Sequence, residues 1–434
     1  MTLARRDRVK VAGAMDGLAI LAGCLMACSA GGAAAATPPE EKTVNDAIPK
    51  VVLGEPVVVS QAPASVKDWG PWQFPGLERL ADGRVHLTYH VEADSATAYG
   101  KPVGHAYSRD DGRTWTLAKE PEGDGGLLLP NGDRLRPAPQ RSVPASSLKL
   151  PKLLFSRRGS WGGNYRFYAP DQLGEVARGY RLARLPAGGR GWSEEFPTVK
   201  IPDPLRYVTE DVLPVPSLAH GFAHWRPAPD GSLWIVTYQF QRTAAADRAR
   251  LGEVRFGVVF LRSADNGRTW ETVSEIPYQP DQKSDPHWAK RDGFTEPDFC
   301  FLPDGSLFCL MRTQDGTGQG ALLSARSADG GRTWSRPAVF DDLGVMPQLL
   351  VLKNGATLAA YGRPGLFVRA SADPAGQVWG PRVEVVKTDT CSYCDLLPLG
   401  ENRALIAYSD FKWPDGTGAR RKTILVRTVT VGGR

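Results

Sequence analysis

SADGGRTW, at residues 327–334, decides the fold, because the chain writes nearly the same word twice more, as SADNGRTW at 263–270 and SRDDGRTW at 108–115. A word repeated at this spacing marks one supersecondary unit used several times. Its residues explain themselves as a turn. Ser and Asp side chains hydrogen-bond the backbone of a tight turn, Gly supplies the left-handed residue, and Trp packs between neighbouring sheets. Copies spread around a ring cannot all line one centre, so the word reads as structure rather than as a calcium or catalytic site.

A second phrase, apolar strand–turn–strand, precedes the word. It appears as GLERLADGRVHLTY (76–89), FAHWRPAPDGSLWIVTY (222–238), DFCFLPDGSLFCLM (298–311) and QLLVLKNGATLAAY (348–361), with a worn copy at 395–408. Asp-Gly or Asn-Gly between β-rich runs predicts a hairpin in which both central residues take positive φ. Decayed forms of the word occupy Ser371–Trp379 and a stretch ending at Trp192. Hairpin, strand, turn and strand together make a four-stranded antiparallel blade. Six fit the chain, at roughly 70–117, 123–200, 218–272, 294–336, 345–381 and 391–430, and the strand Pro56–Ser60 can complete the last. The expected fold is all-β, a six-bladed β-propeller with Asp-box turns over residues 51–431, since radial closure protects the strand edges.

Composition excludes several functions. The formal charge is +6, of which Arg5, Arg6, Arg8 and Lys10 less Asp7 and Asp16 contribute +2 before residue 24, leaving +4 without a basic block. That argues against nucleic acid as a partner. No run of twenty apolar residues follows the N-terminus. The basic start and the apolar stretch Leu18–Ala27 form an export pattern, imperfect at Asp16. Leu21-Ala22-Gly23-Cys24 resembles a lipobox, so residues 1–23 are expected to be a leader and Cys24 a lipid anchor in the membrane; cleavage within Ala33–Ala36 and free secretion is the alternative. Residues 24–50 then read as a flexible linker. Cys300 and Cys309 flank one hairpin and could form a cross-strand disulfide or remain two buried thiols. Cys391 and Cys394 make one isolated CxxC, a poor zinc site.

Asp boxes in a six-bladed repeat make the chain resemble the sialidase (neuraminidase) superfamily over about residues 55–430. The resemblance implies an exported retaining exo-glycosidase acting on a glycan with an acidic terminal sugar, without cofactor or metal. It implies three arginines for the sugar carboxylate, a Tyr nucleophile with a Glu base, and an Asp acid/base. Next to an anionic anomeric carbon, a neutral phenol attacks with less repulsion than a carboxylate would. By position, Tyr393 in SYCDL matches the nucleophile, Glu296 in TEP the base, and Arg312 and Arg363 two of the arginines. Gln73 in QFPGL stands where relatives carry the first arginine and brings no charge, with Arg157 or Arg158 as possible substitutes. Asp94, or Glu92 beside it, matches the acid/base.

Alternatives remain open: a hydrolase or lyase on a uronate-containing polysaccharide, or a glycan-binding propeller without turnover. There is no HExxH, P-loop or GxSxG motif. His220, His224 and His287 lie near blades three and four, and Gly159–Tyr168 could be a sugar-stacking loop.

Overall fold

The computed structural model describes residues 48–432 except 99, 140, 161, 176–178, 216–217, 219–224, 281–282, 284, 315–319 and 389–392. The leader, Cys24, Cys391, His220 and His224 lie outside the described residues. The described chain is all-β. Its first sheet comprises Gln73–Arg79, Val85–His90, Val103–Ser108 and Thr116–Ala118, and its second Leu127–Leu128, Arg134–Pro137, Leu182–Leu185 and Ser193–Glu195. The third runs from Trp225 to Ile276, the fourth from Gly293 to Asp341 and the fifth from Val345 to Val386, each contributing four antiparallel strands. One parallel pairing, Phe256 with Gly293, merges the third and fourth into a larger sheet. The sixth holds Cys394–Pro398, Arg403–Pro414 and Arg420–Val431, and Val57–Gln61 pairs antiparallel to the last of these. The N-terminal strand thus completes the C-terminal sheet, as the sequence predicts.

Apolar clusters join the sheets in order. They link the second to the third, the third to the fourth, the fourth to the fifth, the fifth to the sixth, and the sixth back to the first. The first and second sheets meet through polar groups instead: the Gly126 N–H donates to Glu78 Oε2 at 2.8 Å. A long insertion separates the second and third strands of the second sheet. It carries Phe155–Arg158 and Asn164–Tyr168, paired with Arg206–Val208, and Arg141–Pro144, paired with Val212–Val215.

The repeated word forms the turn expected of it. In its first copy Ser108 Oγ donates to Asp110 Oδ1 at 2.8 Å and accepts from the Gly112 N–H at 2.8 Å, while the Thr114 N–H donates to Asp110 Oδ1 at 2.9 Å. Ser263 with Asp265 and Ser327 with Asp329 repeat this net. Trp270 Nε1 donates to the Gly267 carbonyl, but Trp334 Nε1 reaches Ser274 of the preceding sheet. Trp115, Trp270, Trp334 and Trp379 each pack into the cluster shared with the preceding sheet, so the word both caps a turn and ties two sheets. Hydrogen bonds from the Thr hydroxyl, the Thr N–H and the Ser hydroxyl hold Asp110 and Asp329 down to about 2. A carboxyl depressed in the folded state stabilises above its unfolded value, about 3.9, and loses that contribution as pH falls through the folded value. Thermal melts should therefore show Asp329→Asn less stable than the wild type at pH 5, with the gap closing towards pH 2. A gap that persists unchanged at pH 2 contradicts this.

The hairpin turns differ from the expected form. Only the glycine is left-handed, at φ 85° for Gly83, 80° for Gly231, 85° for Gly305 and 82° for Gly355; the residue before it is not. The turn is a three-residue loop closed by a glycine bulge, as the Gly83 N–H to Leu80 carbonyl and Leu80 N–H to Arg84 carbonyl bonds show. Asp82, Asp230, Asp304 and Asn354 supply an Oδ1 acceptor for the backbone N–H two residues on. That hydrogen bond, rather than tolerance of positive φ, selects Asp or Asn there. Cys300 and Cys309 are two buried thiols. Cys300 pairs with Phe308 and Cys309 with Phe299, so the sulfurs occupy opposite faces of the sheet and cannot bridge.

Candidate functional site

The first strands of the first, fourth and fifth sheets open alike. Phe74-Pro75, Glu296-Pro297 and Met346-Pro347 each place a non-glycine residue at positive φ, 54°, 47° and 44°, at a break in strand register. A bulge leaves one residue unpaired and re-aims its side chain, and proline loses nothing where no ladder bond is made. Phe74, Glu296 and Met346 all line one cavity of about 1300 Å³, to which residues of, or adjoining, all six sheets contribute.

On this wall Glu296 is firmly held. Its Oε1 accepts from Arg312 Nη1 at 2.7 Å and its Oε2 from the Met346 N–H of the next sheet at 2.8 Å. Tyr393 opens the sixth sheet, with its ring 4.2 Å from Phe74 and edge-on to Trp69 at 6.4 Å. Arg363, at φ 71° just past the second strand of the fifth sheet, donates from Nη2 to Tyr393 Oη at 2.8 Å, and its guanidinium lies 5.3 Å from the rings of both Trp69 and Tyr393. Trp69 Nε1 in turn donates to Asp94 Oδ2 at 2.9 Å. Asp94, Trp69, Arg363 and Tyr393 therefore form one connected group.

Asp94, Glu296, Arg312, Arg363 and Tyr393 all line the cavity. The expected Tyr393–Glu296 pair is not hydrogen-bonded: the phenol contacts Arg363, while the carboxylate serves Arg312 and Met346. Glu92 lines the cavity too, but Asp94 is the carboxylate oriented by Trp69. Gln73 is fully buried and off the wall, because the bulge turns Phe74 to the cavity in its place; its amide atoms have no hydrogen-bond partner among the described residues. Arg157 does not replace the missing charge, since its Nη2 is bonded to buried Asp292 at 2.5 Å, and Arg158 does not line the cavity. Nor does His287 or any residue of the repeated word.

Several wall residues escape sequence reasoning. Arg136 and Arg206 bring guanidinium groups stacked on Trp192 and Tyr180, and Glu210 Oε2 accepts from Ser95 Oγ, another lining residue, at 2.7 Å. Burial pushes the Tyr207 phenol up to about 12. It also lowers His90, against the opposing charge of Asp94. The lining balances six basic side chains (Lys101, Lys119, Arg136, Arg206, Arg312, Arg363) with six acidic ones (Glu78, Glu92, Asp94, Glu120, Glu210, Glu296). The one usable sequence signal was the His-x-Thr-x-His alternation at 86–90, which puts polar groups on one sheet face.

Residues 188–404, half of the chain, match the BNR repeat-like domain. The chain belongs to that family. This BNR chain is similar in structure to a protein of unknown function from Dyadobacter fermentans, at 18% identity and TM-score 0.55, over 89% of this chain and 100% of the other. Looser likenesses, with no bearing on activity, are the Hadza microbial sialidase Hz136 (16% identity, TM-score 0.42, 81% of this chain and 65% of that one) and the Fusarium graminearum GH93 α-L-arabinofuranosidase (13%, 0.45, 86% and 98%). No curated protein matches.

Proposed function

We propose that the six sheets are the blades of one ring and that the BNR protein is a retaining glycoside hydrolase acting on a terminal sugar in the shared cavity. The observation that carries this is the connected group of Asp94, Trp69, Arg363 and Tyr393, with Glu296 and Arg312 on the same wall. Tyr393 Oη is the nucleophile. The Arg363 N–H donated to it stabilises the phenolate, so its proton can pass to Glu296 as substrate binds. Asp94 protonates the leaving oxygen and then activates water, giving two displacements and net retention. Arg363 and Arg312 face the sugar's polar substituents. The leader at residues 1–23, with Cys24 as a lipid anchor, would place this activity outside the cytoplasm.

The identity of the sugar divides two readings. An acidic sugar fits Arg312 and Arg363, as the sialidase resemblance implies. The equal numbers of acidic and basic wall groups, and Gln73 behind Phe74, favour a neutral one, because a carboxylate needs unmatched donors. An aryl sialoside, an aryl glucuronide and an aryl arabinofuranoside decide this. Turnover of one with retained anomeric configuration, followed by NMR, is the expected result. Absence of turnover on all three overturns the hydrolase and leaves a glycan-binding propeller.

A further inference from the structure

Among the described residues, the middle strands of the first sheet turn one face to an apolar cluster. Val85, Leu87, Tyr89 and Ala106 meet the sixth sheet, while strand alternation and register put Glu78, His86, Thr88, His105 and Tyr107 on the opposite face. There a hydrogen-bonded chain links two cavity-lining side chains, Glu78 and His105, through buried His86. Glu78 Oε1 is 2.7 Å from His86 Nδ1, and His86 Nε2 is 3.0 Å from His105 Nδ1. Burial pushes Glu78 up, but hydrogen bonds from His86 and the Gly126 N–H outweigh it and hold the carboxyl below its usual value. Burial, and then the neighbouring His86, lower His105.

Bond logic sets the tautomers. With His86 neutral, an ionised Glu78 accepts its Nδ1–H, and the bare His86 Nε2 accepts from His105 Nδ1–H. His105 Nε2 then carries a lone pair, since the bond to His86 among the described residues uses Nδ1. His105, Thr88, Glu120 and Arg136 all line the cavity. The cavity exceeds the usual 300–1,000 Å³ or so of a small-molecule site.

We infer that the cleft between the first and second sheets is a second sugar subsite, in which His105 Nε2 accepts a hydrogen bond from a hydroxyl of the glycan residue next to the one at Tyr393. The Glu78–His86 chain is its positioning device: it keeps the Nε2 bare and the ring fixed. Arg136 supplies a donor and Thr88 a hydroxyl on the same wall. This rests on the glycan reading above but not on hydrolysis. Among the described residues the charged groups acting on His105 are Glu78, His86 and Glu120 of the first sheet and its following loop, while Lys119 and, from the second sheet, Arg136 line the same cavity. Protonating His105 removes the acceptor, so affinity falls as pH drops.

The test uses the full chain with 15N-labelled histidine, and sialyllactose and arabinobiose as probes. At pH 7 the His105 signal should show a bare Nε2 and a protonated Nδ1, and at least one probe should move it. His105→Gln should weaken that probe's Kd at least about tenfold, and Glu78→Gln should shift the His105 tautomer population. A protonated Nε2 in the free protein, no response to either probe, or an unchanged Kd in His105→Gln overturns the subsite. If a probe binds through His105 while the aryl glycosides are not turned over, the subsite stands and hydrolysis falls. If glycosides are turned over while both probes leave His105 unmoved, the reverse holds.

Discussion

Tyr393→Phe should lower kcat/KM on the glycoside the protein cleaves by at least about 10³-fold, mostly through kcat. The substitution removes one oxygen and little else. Tyr393 is 4% exposed, and its ring contacts with Phe74, Trp69 and the Arg363 guanidinium are all available to phenylalanine. Circular dichroism and the melting temperature should therefore match the wild type closely. What disappears is the hydroxyl that accepts from Arg363 at 2.8 Å. If that oxygen attacks the anomeric carbon, nothing in the variant can form the glycosyl intermediate. Activity within about threefold of the wild type, a difference of under 1 kcal/mol in barrier, would remove Tyr393 from the chemistry.

Asp298→Ala should destabilise the protein by about 3–5 kcal/mol in urea unfolding. Asp298 is 1% exposed on the first strand of the fourth sheet. Its oxygens accept from Arg226 Nη2 at 3.0 and 2.9 Å, from the Leu349 N–H at 2.6 Å and from the Phe299 N–H at 2.9 Å. Arg226 also donates to the Leu349 carbonyl at 2.7 Å, so one carboxylate ties the third, fourth and fifth sheets. Removing it strands a largely buried guanidinium and two backbone donors, which costs far more than the net worth of the pair. Asp395 plays the same part between the sixth and first sheets, accepting from the Leu77 N–H at 2.7 Å. Arg79→Ala, at an exposed pair with Asp111, provides the contrast at about 0–1 kcal/mol. A loss below about 1 kcal/mol in Asp298→Ala would show that apolar packing alone orders these sheets.

The architecture was legible because its instructions are local. Ser327, Asp329, Gly331 and Trp334 lie within eight residues and close one turn, and Asp304-Gly305 sets one hairpin. Even there the residue pair predicted a two-residue turn, whereas the Asp side chain makes a three-residue loop the better solution. The site was legible only in part. Glu296 and Arg312 lie on paired strands of one hairpin, so the sequence places them together. The bond between Arg363 and Tyr393 joins two sheets, and no local pattern encodes it. Gln73 and Phe74 differ by one position, and the bulge that exchanges their facings depends on register with the next strand. Glu78, His86 and His105 come from three strands, and only the pairing reveals that they share a face. Arg206 arrives on a strand paired with the insertion, for which the repeat offers no template.

The most direct test of the central claim is mass-spectrometric mapping of the protein after reaction with a ring-fluorinated, activated form of the glycoside it cleaves. The fluorine slows the second displacement and lets the covalent intermediate accumulate. The expected result is one added sugar per chain, carried on the peptide containing Tyr393 and absent in Tyr393→Phe. A sugar on Glu296 or Asp94, or no adduct with a compound that inactivates the protein, would contradict it.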